Sequence, residues 1–451
     1  MKKLTNFFKS NIVLVLICLL FLVTRIYRVD SIPESVYWDE ASIGYNAYSI
    51  LLTGKDEWGE FLPLHFRAFG EFKLPVYIYS VVISEFFFGL TNFAIRLPAI
   101  IFGLLSVIGI YFVTLRLTNN RTLSLLSSFT FSITPWFFIF SRTGYEATAG
   151  LAFFIWSLYF LILSFQNYKL LILSTMLFIV SMYSYNSFRI LSPLILGPFL
   201  IYFLLKKKFV HVLIPIIFIL LSILPIYKLY SKDSGLARFN TVGSNNYISN
   251  FLKNFSPTYL FLEGDINPRS QVPKHGQVYY LDSLFIILGV LYILKTKNLK
   301  LYFILMFLLL APIPASITKE NPHALRAILT SPILSVISAM GIYFVSKNNR
   351  LILVFISVLY LLFFGNYFYR FINEYNNISS SAWQLEYKEI FKNQKSGCIS
   401  DEFAQPYIFA LYYNKFDPNE FVTTKKLNPV SDWGFSTVKS FGNFEFKKEC
   451  R

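Results

Sequence analysis

Charged side chains are scarce in this sequence. Asp, Glu, Lys and Arg make up 15% of its 451 residues, well below the roughly 25% that is usual for soluble globular domains. Cysteine is also scarce, at 3 residues, whereas hydrophobic residues make up 55% and aromatic residues 19%. The mean hydropathy is +0.52. This composition excludes a disordered chain, a disulfide scaffold and an ordinary cytosolic enzyme, and it indicates a polytopic membrane protein.

Long apolar runs occur about eleven times in the sequence. A helix needs roughly 20 mostly apolar residues to cross the hydrocarbon core of a bilayer. The predicted spans are 11–29, 94–116, 122–140, 147–166, 170–186, 189–205, 209–229, 280–294, 301–317, 327–346 and 351–369. The first run follows three lysines, so a cleaved signal peptide is an alternative. Because no A-x-A-like cleavage site follows it, we favour an uncleaved span.

Basic residues are concentrated in one set of loops. The net charge is +16, from 41 Lys and Arg against 25 Asp and Glu. With a cytoplasmic N-terminus, the cytoplasmic segments and their flanks hold about fourteen basic residues and no acidic residue. These segments are 1–10, 117–121, 167–169, 206–208, 295–300 and 347–350. The positive-inside rule therefore predicts a multi-pass protein of the plasma membrane with an extracytoplasmic C-terminus. The remaining charge is nearly balanced, so the basic pI gives no reason to expect a nucleic-acid partner.

Motifs for soluble nucleotides are missing. The sequence has neither a Walker loop nor a glycine-rich Rossmann fingerprint, and its cytoplasmic loops are too short for a nucleotide-binding domain. Any chemistry is therefore expected on the outer side, where a donor would have to be carried by the membrane. The long outer segments are 30–93, 230–279 and 370–451.

The first outer segment contains a pair of acidic residues close to the predicted membrane surface. Asp39 and Glu40 follow the first span directly. They either favour the dipole of a helix N-terminus or provide a general base beside a membrane-bound substrate. Pro75 suits a first helical turn, and we interpret 75–90 as a helix on the membrane surface.

Cations recur where the other outer segments return to the membrane. Arg269 and Lys274 lie in the second segment, and Arg326 stands where a span begins. These positions suit a phosphate, although snorkelling would also explain Arg326. Three further ionic residues of the outer side are Arg142, Glu146 and Arg189. At helical spacing, Arg142 and Glu146 could instead pair with each other.

Several short motifs together resemble one family. They are Trp38-Asp39-Glu40-Ala41, Lys73-Leu74-Pro75, Arg96-Leu97-Pro98 and Pro322-His323-Ala324-Leu325-Arg326. With the spans of residues 10–370, they resemble the GT-C superfamily of glycosyltransferases that use polyprenyl-phosphate sugars. Within it, the protein O-mannosyltransferase and aminoarabinose transferase group is nearest, especially the bacterial dolichyl-phosphate-mannose-mannosyltransferase-like proteins.

This resemblance implies roles for individual residues. Asp39 would be the catalytic base, with Glu40 beside it, and Lys73 would contact the donor phosphate. Arg269 and Arg326 would help to hold that phosphate, with Arg142 in reserve. The predicted substrate pocket also contains Glu71, Tyr45, His323 and Lys274.

The implied reaction is transfer of a monosaccharide from a polyprenyl-phosphate donor to an acceptor hydroxyl, with inversion. The acceptor would be a lipid, a glycan or a protein, and the protein would also contact membrane lipids. No cofactor is implied with certainty. A divalent metal is possible, but no ligand cluster of metal-site spacing occurs in the sequence.

The C-terminal residues change in character. We predict a membrane domain over 1–372 and a small extracytoplasmic α/β domain over 373–451. In the latter, we expect helices at 382–393 and 404–413 and strands at 397–400, 421–425, 435–439 and 443–447. Cys398 and Cys450 either form a disulfide or remain free thiols. The predicted fold class is thus an all-α polytopic membrane protein, GT-C-like, with a small α/β domain.

Three other functions would fit a polytopic membrane protein. A transporter or lipid flippase of glycolipids would need charges at mid-membrane or broken helices in repeated halves, and we find few such charges and no internal repeat. A glycan polymerase or ligase with diphosphate-linked donors is disfavoured only by the resemblance. A non-catalytic membrane scaffold is the third alternative.

Overall fold

The computed structural model describes residues 11–231, 242–402, 405–430 and 435–450. The predicted cytoplasmic segment 1–10 lies outside these ranges. The helices of the membrane region are α1 (Ile12–Ile26), α2 (Trp38–Thr53), α3 (Pro75–Phe88), α4 (Asn92–Thr118), α5 (Arg121–Ile133), α6 (Pro135–Phe138), α7 (Glu146–Ser164), α8 (Leu170–Met182), α9 (Asn186–Leu205), α10 (Phe209–Tyr230), α11 (Tyr247–Lys253), α12 (Tyr280–Thr296), α13 (Leu299–Leu310), α14 (Ile313–Ser316), α15 (Thr330–Ser346) and α16 (Arg350–Asn373).

Apolar helices dominate this region. Six of the described helices are long and apolar enough to cross a membrane, and a bent pair raises this number to seven. Four more apolar helices, α1, α3, α8 and α15, are shorter. The predicted helical membrane fold is confirmed, whereas the count of eleven spans stays a prediction.

The predicted span 122–140 is broken at Pro135. Helix α5 ends at Ile133, and the following segment Pro135–Arg142 is bent by 64° from it. Proline has no backbone N–H and disfavours a helical conformation in the residue before it; Thr134 is extended, with ψ 135°. The bend therefore turns Phe140–Arg142, a short 3₁₀ helix, back towards the end of α1.

Glycines allow two helices of the membrane region, α12 and α15, to pack backbone against backbone. A Cβ atom at Gly289 of α12 would collide with the carbonyl oxygen of Ile337 in α15, and one at Gly341 of α15 would collide with that of Phe285. Small residues give membrane helices this close approach in the absence of a hydrophobic driving force. Asp282 of α12 is buried beside the contact, where its Oδ1 accepts hydrogen bonds from Ser338 and Tyr360.

A short hairpin connects α2 to α3. Strands β1 (Phe66–Arg67) and β2 (Phe72–Lys73) pair antiparallel, with Phe66 opposite Lys73. Pro75 is the first residue of α3, as its position in the sequence predicted. The hairpin therefore delivers Lys73 to the start of α3, next to the first turn of α2.

The C-terminal region is a small α/β unit, as predicted. It contains α17 (Tyr375–Ser379), α18 (Leu385–Asn393), β3 (Gly397–Ser400), α19 (Pro406–Asn414), α20 (Pro418–Thr424), β4 (Lys426–Leu427), β5 (Val438–Phe441) and β6 (Phe444–Lys447). The four strands form one sheet of order β3-β6-β5-β4, in which β3 and β6 are parallel. A disulfide joins Cys398 and Cys450, with 5.6 Å between their Cα atoms.

The strand predicted at 421–425 is wrong, because these residues belong mainly to α20. Asp417 caps that helix by accepting a hydrogen bond from the backbone N–H of Glu420, and Pro418 occupies its first position. This Asp-Pro start is a helix signal that outweighs the strand preference of Phe421, Val422 and the following threonines. The strand predicted at 435–439 lies instead at Val438–Phe441.

The C-terminal unit packs on the outer end of the membrane region. Ser35 donates a hydrogen bond to the carbonyl oxygen of Trp383 (2.6 Å), and the backbone N–H of Trp38 donates to the Gln384 side chain (2.9 Å). Apolar side chains of α2, α3 and α4 share one buried cluster with those of α18 to β6. The predicted division into domains between residues 372 and 373 stays a prediction.

Candidate active site

A cavity of ≈ 490 Å³ opens where α2, the hairpin and the N-terminal ends of α7 and α9 meet. The first residues of these three helices line it: Trp38 and Asp39 of α2, Glu146 of α7, and Asn186 of α9. The unpaired N–H groups of a helix N-terminus carry partial positive charge. The backbone therefore makes this cavity favourable for an anion before any side chain is considered.

Asp39 and Lys73 form an ion pair at the cavity wall. Lys73 Nζ lies 2.7 Å from Asp39 Oδ1 and 3.8 Å from Glu71 Oε1. The Lys73 side chain is 4% exposed and that of Asp39 is 24% exposed, so the carboxylate is the more accessible member. Burial lowers the pKa of Lys73, but the carboxylates of Asp39, Glu146 and Glu71 raise it by more. Its pKa therefore lies above the usual value, and Lys73 stays protonated.

Glu146 is a third carboxylate beside Lys73. Its Oε1 accepts a hydrogen bond from the backbone N–H of Leu74 (3.1 Å), which ties the start of α7 to the start of α3. Glu146 lines the cavity, and it has no ion pair with Arg142. The alternative in which these two residues pair is therefore wrong, because the bend at Pro135 turns Arg142 away from α7.

Glu40 lies outside the cavity, although it is adjacent to Asp39 in the sequence. It forms an ion pair with Arg96 (3.0 Å), and both side chains are fully buried. Glu40 Oε1 also accepts the backbone N–H of Gly144 (2.6 Å), while Arg96 donates to the carbonyl oxygens of Val29, Pro33 and Ser35. The pair fastens the first outer loop to α4, so Glu40 is a positioning residue, and of the two neighbouring acids only Asp39 lines the cavity.

Arg269 and Arg326 reach the cavity from two different loops. The Arg269 guanidinium lies 4.7 Å from the centre of the Tyr37 ring and donates to the carbonyl oxygen of Ala382. Its Nε is buried and makes no hydrogen bond within the described part of the chain. Arg326 donates to Thr318 (3.0 Å) and lies 3.4 Å from Glu320. Both arginines thus keep donor capacity for an anion in the cavity.

Arg189 is a fourth cation of the cavity. The sequence placed it in the outer ionic set but gave it no site role. One terminal nitrogen lies 3.1 Å from the Tyr230 hydroxyl and the other 3.0 Å from Nε2 of His65. Burial, and secondly the charge of Arg189, lower the pKa of His65 to about 4, so His65 is neutral and can accept this hydrogen bond. Arg189 lies in the first turn of α9, which is far from α2 in the sequence, so only the fold brings it to the same cavity as Asp39.

The other predicted site residues divide into two groups. Glu71 and His323 line the cavity, and His323 Nε2 lies 3.8 Å from Glu320. Three residues lie outside it: Arg142, Tyr45 and Lys274.

Each of these three has a contact or position that explains its absence from the cavity. Arg142 is fully buried and donates to the carbonyl oxygens of Thr24, Tyr27 and Ile32. Tyr45 donates to the carbonyl oxygen of Phe416 in the C-terminal unit. Lys274 is exposed to solvent.

A divalent metal has no evident ligand set here. Among the described residues, no three His, Cys, Asp or Glu side chains form a group that could hold a metal ion. Asp39, Glu71 and Glu146 instead surround the ammonium group of Lys73.

Known proteins resemble this chain in sequence and in fold. Residues 73–227 match the sequence model of the Dolichyl-phosphate-mannose-protein mannosyltransferase family, which is about a third of the chain. No curated protein matches it. Among solved structures, ArnT from Cupriavidus metallidurans gives a TM-score of 0.56, with 11% identity over 89% of this chain and 84% of its own.

The oligosaccharyltransferase of Archaeoglobus fulgidus gives a TM-score of 0.54 with 11% identity. That match covers 89% of this chain and 61% of the oligosaccharyltransferase, so the chain spans less than two thirds of that protein. These similarities show the architecture of the membrane region. The chain has the fold of the GT-C superfamily, as its sequence predicted.

Proposed function

We propose that this chain is an integral membrane glycosyltransferase that transfers a monosaccharide from a polyprenyl-phosphate donor to an acceptor hydroxyl. The observation that carries this proposal is the Asp39–Lys73 pair in a cavity that also contains Arg189, Arg269 and Arg326. A base beside several cations suits a reaction in which a hydroxyl loses its proton while a phosphate leaves. The name of the matched mannosyltransferase family supports a lipid-phosphate donor.

The cations would hold the donor phosphate. A lysine ammonium has three N–H groups, and one of them is directed at Asp39. A phosphate oxygen would accept from one of the other two in place of the longer contact with Glu71 (3.8 Å), and Arg189 and Arg269 each have a buried Nε without a hydrogen bond among the described residues. The cavity volume of ≈ 490 Å³ is within the usual range for small-molecule sites, roughly 300–1,000 Å³. It is suited to a sugar phosphate whose lipid chain remains in the membrane.

Asp39 would act as the general base. As the acceptor oxygen forms its bond to the anomeric carbon, the bond from that carbon to the phosphate oxygen breaks, and its electron pair stays with the lipid phosphate. The acceptor proton goes to Asp39. The cations stabilise the negative charge that develops on the leaving phosphate. A single displacement inverts the anomeric carbon, and a phosphate leaving group needs no second carboxylic acid, unlike the leaving group of a glycosidase.

We place this reaction on the outer face of the plasma membrane. The basic residues collect in the loops at the opposite ends of the helices, which the positive-inside rule assigns to the cytoplasm. The N-terminus would then be cytoplasmic and the C-terminal unit extracytoplasmic. The disulfide between Cys398 and Cys450 fits an oxidising compartment. The acceptor would be a lipid, a glycan or a protein that reaches the cavity from this side.

The test is release of lipid phosphate by the purified protein. It would be incubated with a panel of polyprenyl-phosphate hexoses and pentoses, and with lipid, glycan and peptide acceptors. We expect one donor to be consumed in an acceptor-dependent way, with an inverted glycosidic product. If no donor is bound or consumed, while vesicles containing the protein move a glycolipid across the bilayer, the chain is a transporter and this proposal is wrong.

A further inference from the structure

A second cavity lies within the membrane region, apart from the candidate active site. It has a volume of ≈ 600 Å³ and lies among α4, α7, α13 and α15. Most of its wall is apolar, with side chains such as Ile110, Leu158, Phe303 and Ile333. It shares no lining residue with the cavity around Asp39. We refer to it as the inter-helix crevice.

Charged residues occur at only one end of the inter-helix crevice. Among its lining residues, Arg116 comes from the last turn of α4 and Lys300 from the first turn of α13. Both side chains are exposed, and neither has an ion pair in the described part of the chain. The amides of Asn119 and Gln166 lie at the same end. A lysine in the first turn of a helix is disfavoured by the helix dipole. An anion placed between Lys300 and Arg116 would therefore stabilise the N-terminal end of α13.

This charged end is far from Asp39. Helix α4 runs for 27 residues from Asn92 to Thr118, and Arg96 at its start pairs with Glu40 directly beneath the candidate active site. The twenty residues between Arg96 and Arg116 extend about 30 Å along a helix, which is about the thickness of the hydrocarbon core. Arg116 and Lys300 therefore stand at the opposite interface, which is cytoplasmic in the predicted orientation.

We infer that the inter-helix crevice binds an anionic phospholipid of the inner leaflet. Its phosphate lies between Arg116 and Lys300, and its acyl chains fill the apolar space between α13 and the pair α4 and α7. Basic pockets between membrane helices on the cytoplasmic side are suited to anionic headgroups. The tail of a donor held near Asp39 would place hydrocarbon beside these two cations, so charge complementarity favours a phospholipid over that tail. The inference does not depend on the proposed transferase activity.

The test is lipid selectivity measured by native mass spectrometry. The delipidated full-length protein would be titrated with phosphatidylglycerol and with phosphatidylcholine of the same acyl chains. We expect the wild type to retain phosphatidylglycerol about 10-fold more tightly, because both headgroups carry the phosphate but choline adds a positive charge that Arg116 and Lys300 repel. Arg116→Gln with Lys300→Gln should remove this preference. The control, Lys297→Gln with Arg350→Gln, makes the same change in net charge at the same end of the helices and should keep it.

A second variant tests the apolar part of the site. Ile333→Trp should fill the crevice and lower retention of both lipids while leaving the two cations in place. Equal retention of the two lipids by the wild type would overturn the inference. So would a preference that survives in the Arg116 and Lys300 variant, or one lost equally in the control. Displacement of the bound lipid by a polyprenyl phosphate at equal concentration would assign the crevice to the donor tail instead, and would also contradict the inference.

Discussion

Replacing Glu40 by alanine should destabilise the fold. Glu40 accepts two hydrogen bonds from Arg96 and one from the backbone of Gly144. Its removal leaves the Arg96 guanidinium fully buried with only backbone carbonyls as partners. Breaking a buried ion pair from one side typically costs about 3–5 kcal/mol, and we expect a loss of this size for Glu40→Ala.

The matched control is Glu34→Ala in the same outer loop. Glu34 is exposed and lies 3.7 Å from Lys388, and such surface pairs contribute about 0–1 kcal/mol. Unfolding can be followed in detergent by labelling of Cys18, the free thiol among the described residues, which is half-buried in α1. Glu40→Ala should label at a clearly lower temperature than the wild type, and Glu34→Ala should not. If the two variants label at the same temperature, Glu40 does not hold the loop and our assignment of it is wrong.

Three further predictions concern other parts of the chain. Burial, and secondly the charge of Asp56, raise the pKa of Glu57 from 4.5 to about 8. The folded state therefore binds this proton more tightly, and stability falls as the pH rises from about 4.5 to about 8; Glu57→Gln should flatten that fall in thermal scans, and an unchanged slope would contradict the assignment. Lys73→Ala should raise the donor KM by about 10- to 100-fold through loss of a charge-assisted contact, whereas a change in kcat alone would argue against a phosphate contact. Cys398→Ser with Cys450→Ser opens a connection of 52 residues and should cost the C-terminal unit about 4 kcal/mol, seen as faster proteolysis of that unit; equal proteolysis rates would show that packing on the membrane region suffices.

Short motifs at the ends of helices could be predicted from the sequence. Asp39, Lys73, Arg269 and Arg326 each stand where a polar segment meets an apolar run, and the structure brings all four to one cavity. This follows from the membrane itself, because the outer helix ends lie at one interface and charged residues are rare within the spans between the interfaces. Their chemical roles stay predictions.

Residues whose position depends on packing could not be predicted. Arg142 looked equivalent to the other outer cations, but the bend at Pro135 turns it to the carbonyl oxygens of Thr24, Tyr27 and Ile32. Glu40 is only one residue further along α2 than Asp39, but this step around the helix turns its side chain towards Arg96. Arg189 reaches the cavity because α9 approaches the start of the hairpin, where Nε2 of His65 accepts a hydrogen bond from its guanidinium. Adjacent residues on a helix point in different directions, so spacing alone could not assign these three.

Turnover by the Asp39→Asn variant tests the central claim most directly. The wild type, Asp39→Asn and the exposed control Asp30→Asn would be compared for release of lipid phosphate at saturating donor and acceptor, together with donor binding. A positioned general base contributes about 10²–10⁴-fold. We therefore expect Asp39→Asn to lose at least about 100-fold in turnover while it still binds donor, and Asp30→Asn to match the wild type. Near-normal turnover by Asp39→Asn would show that the Asp39–Lys73 cavity is not the catalytic centre.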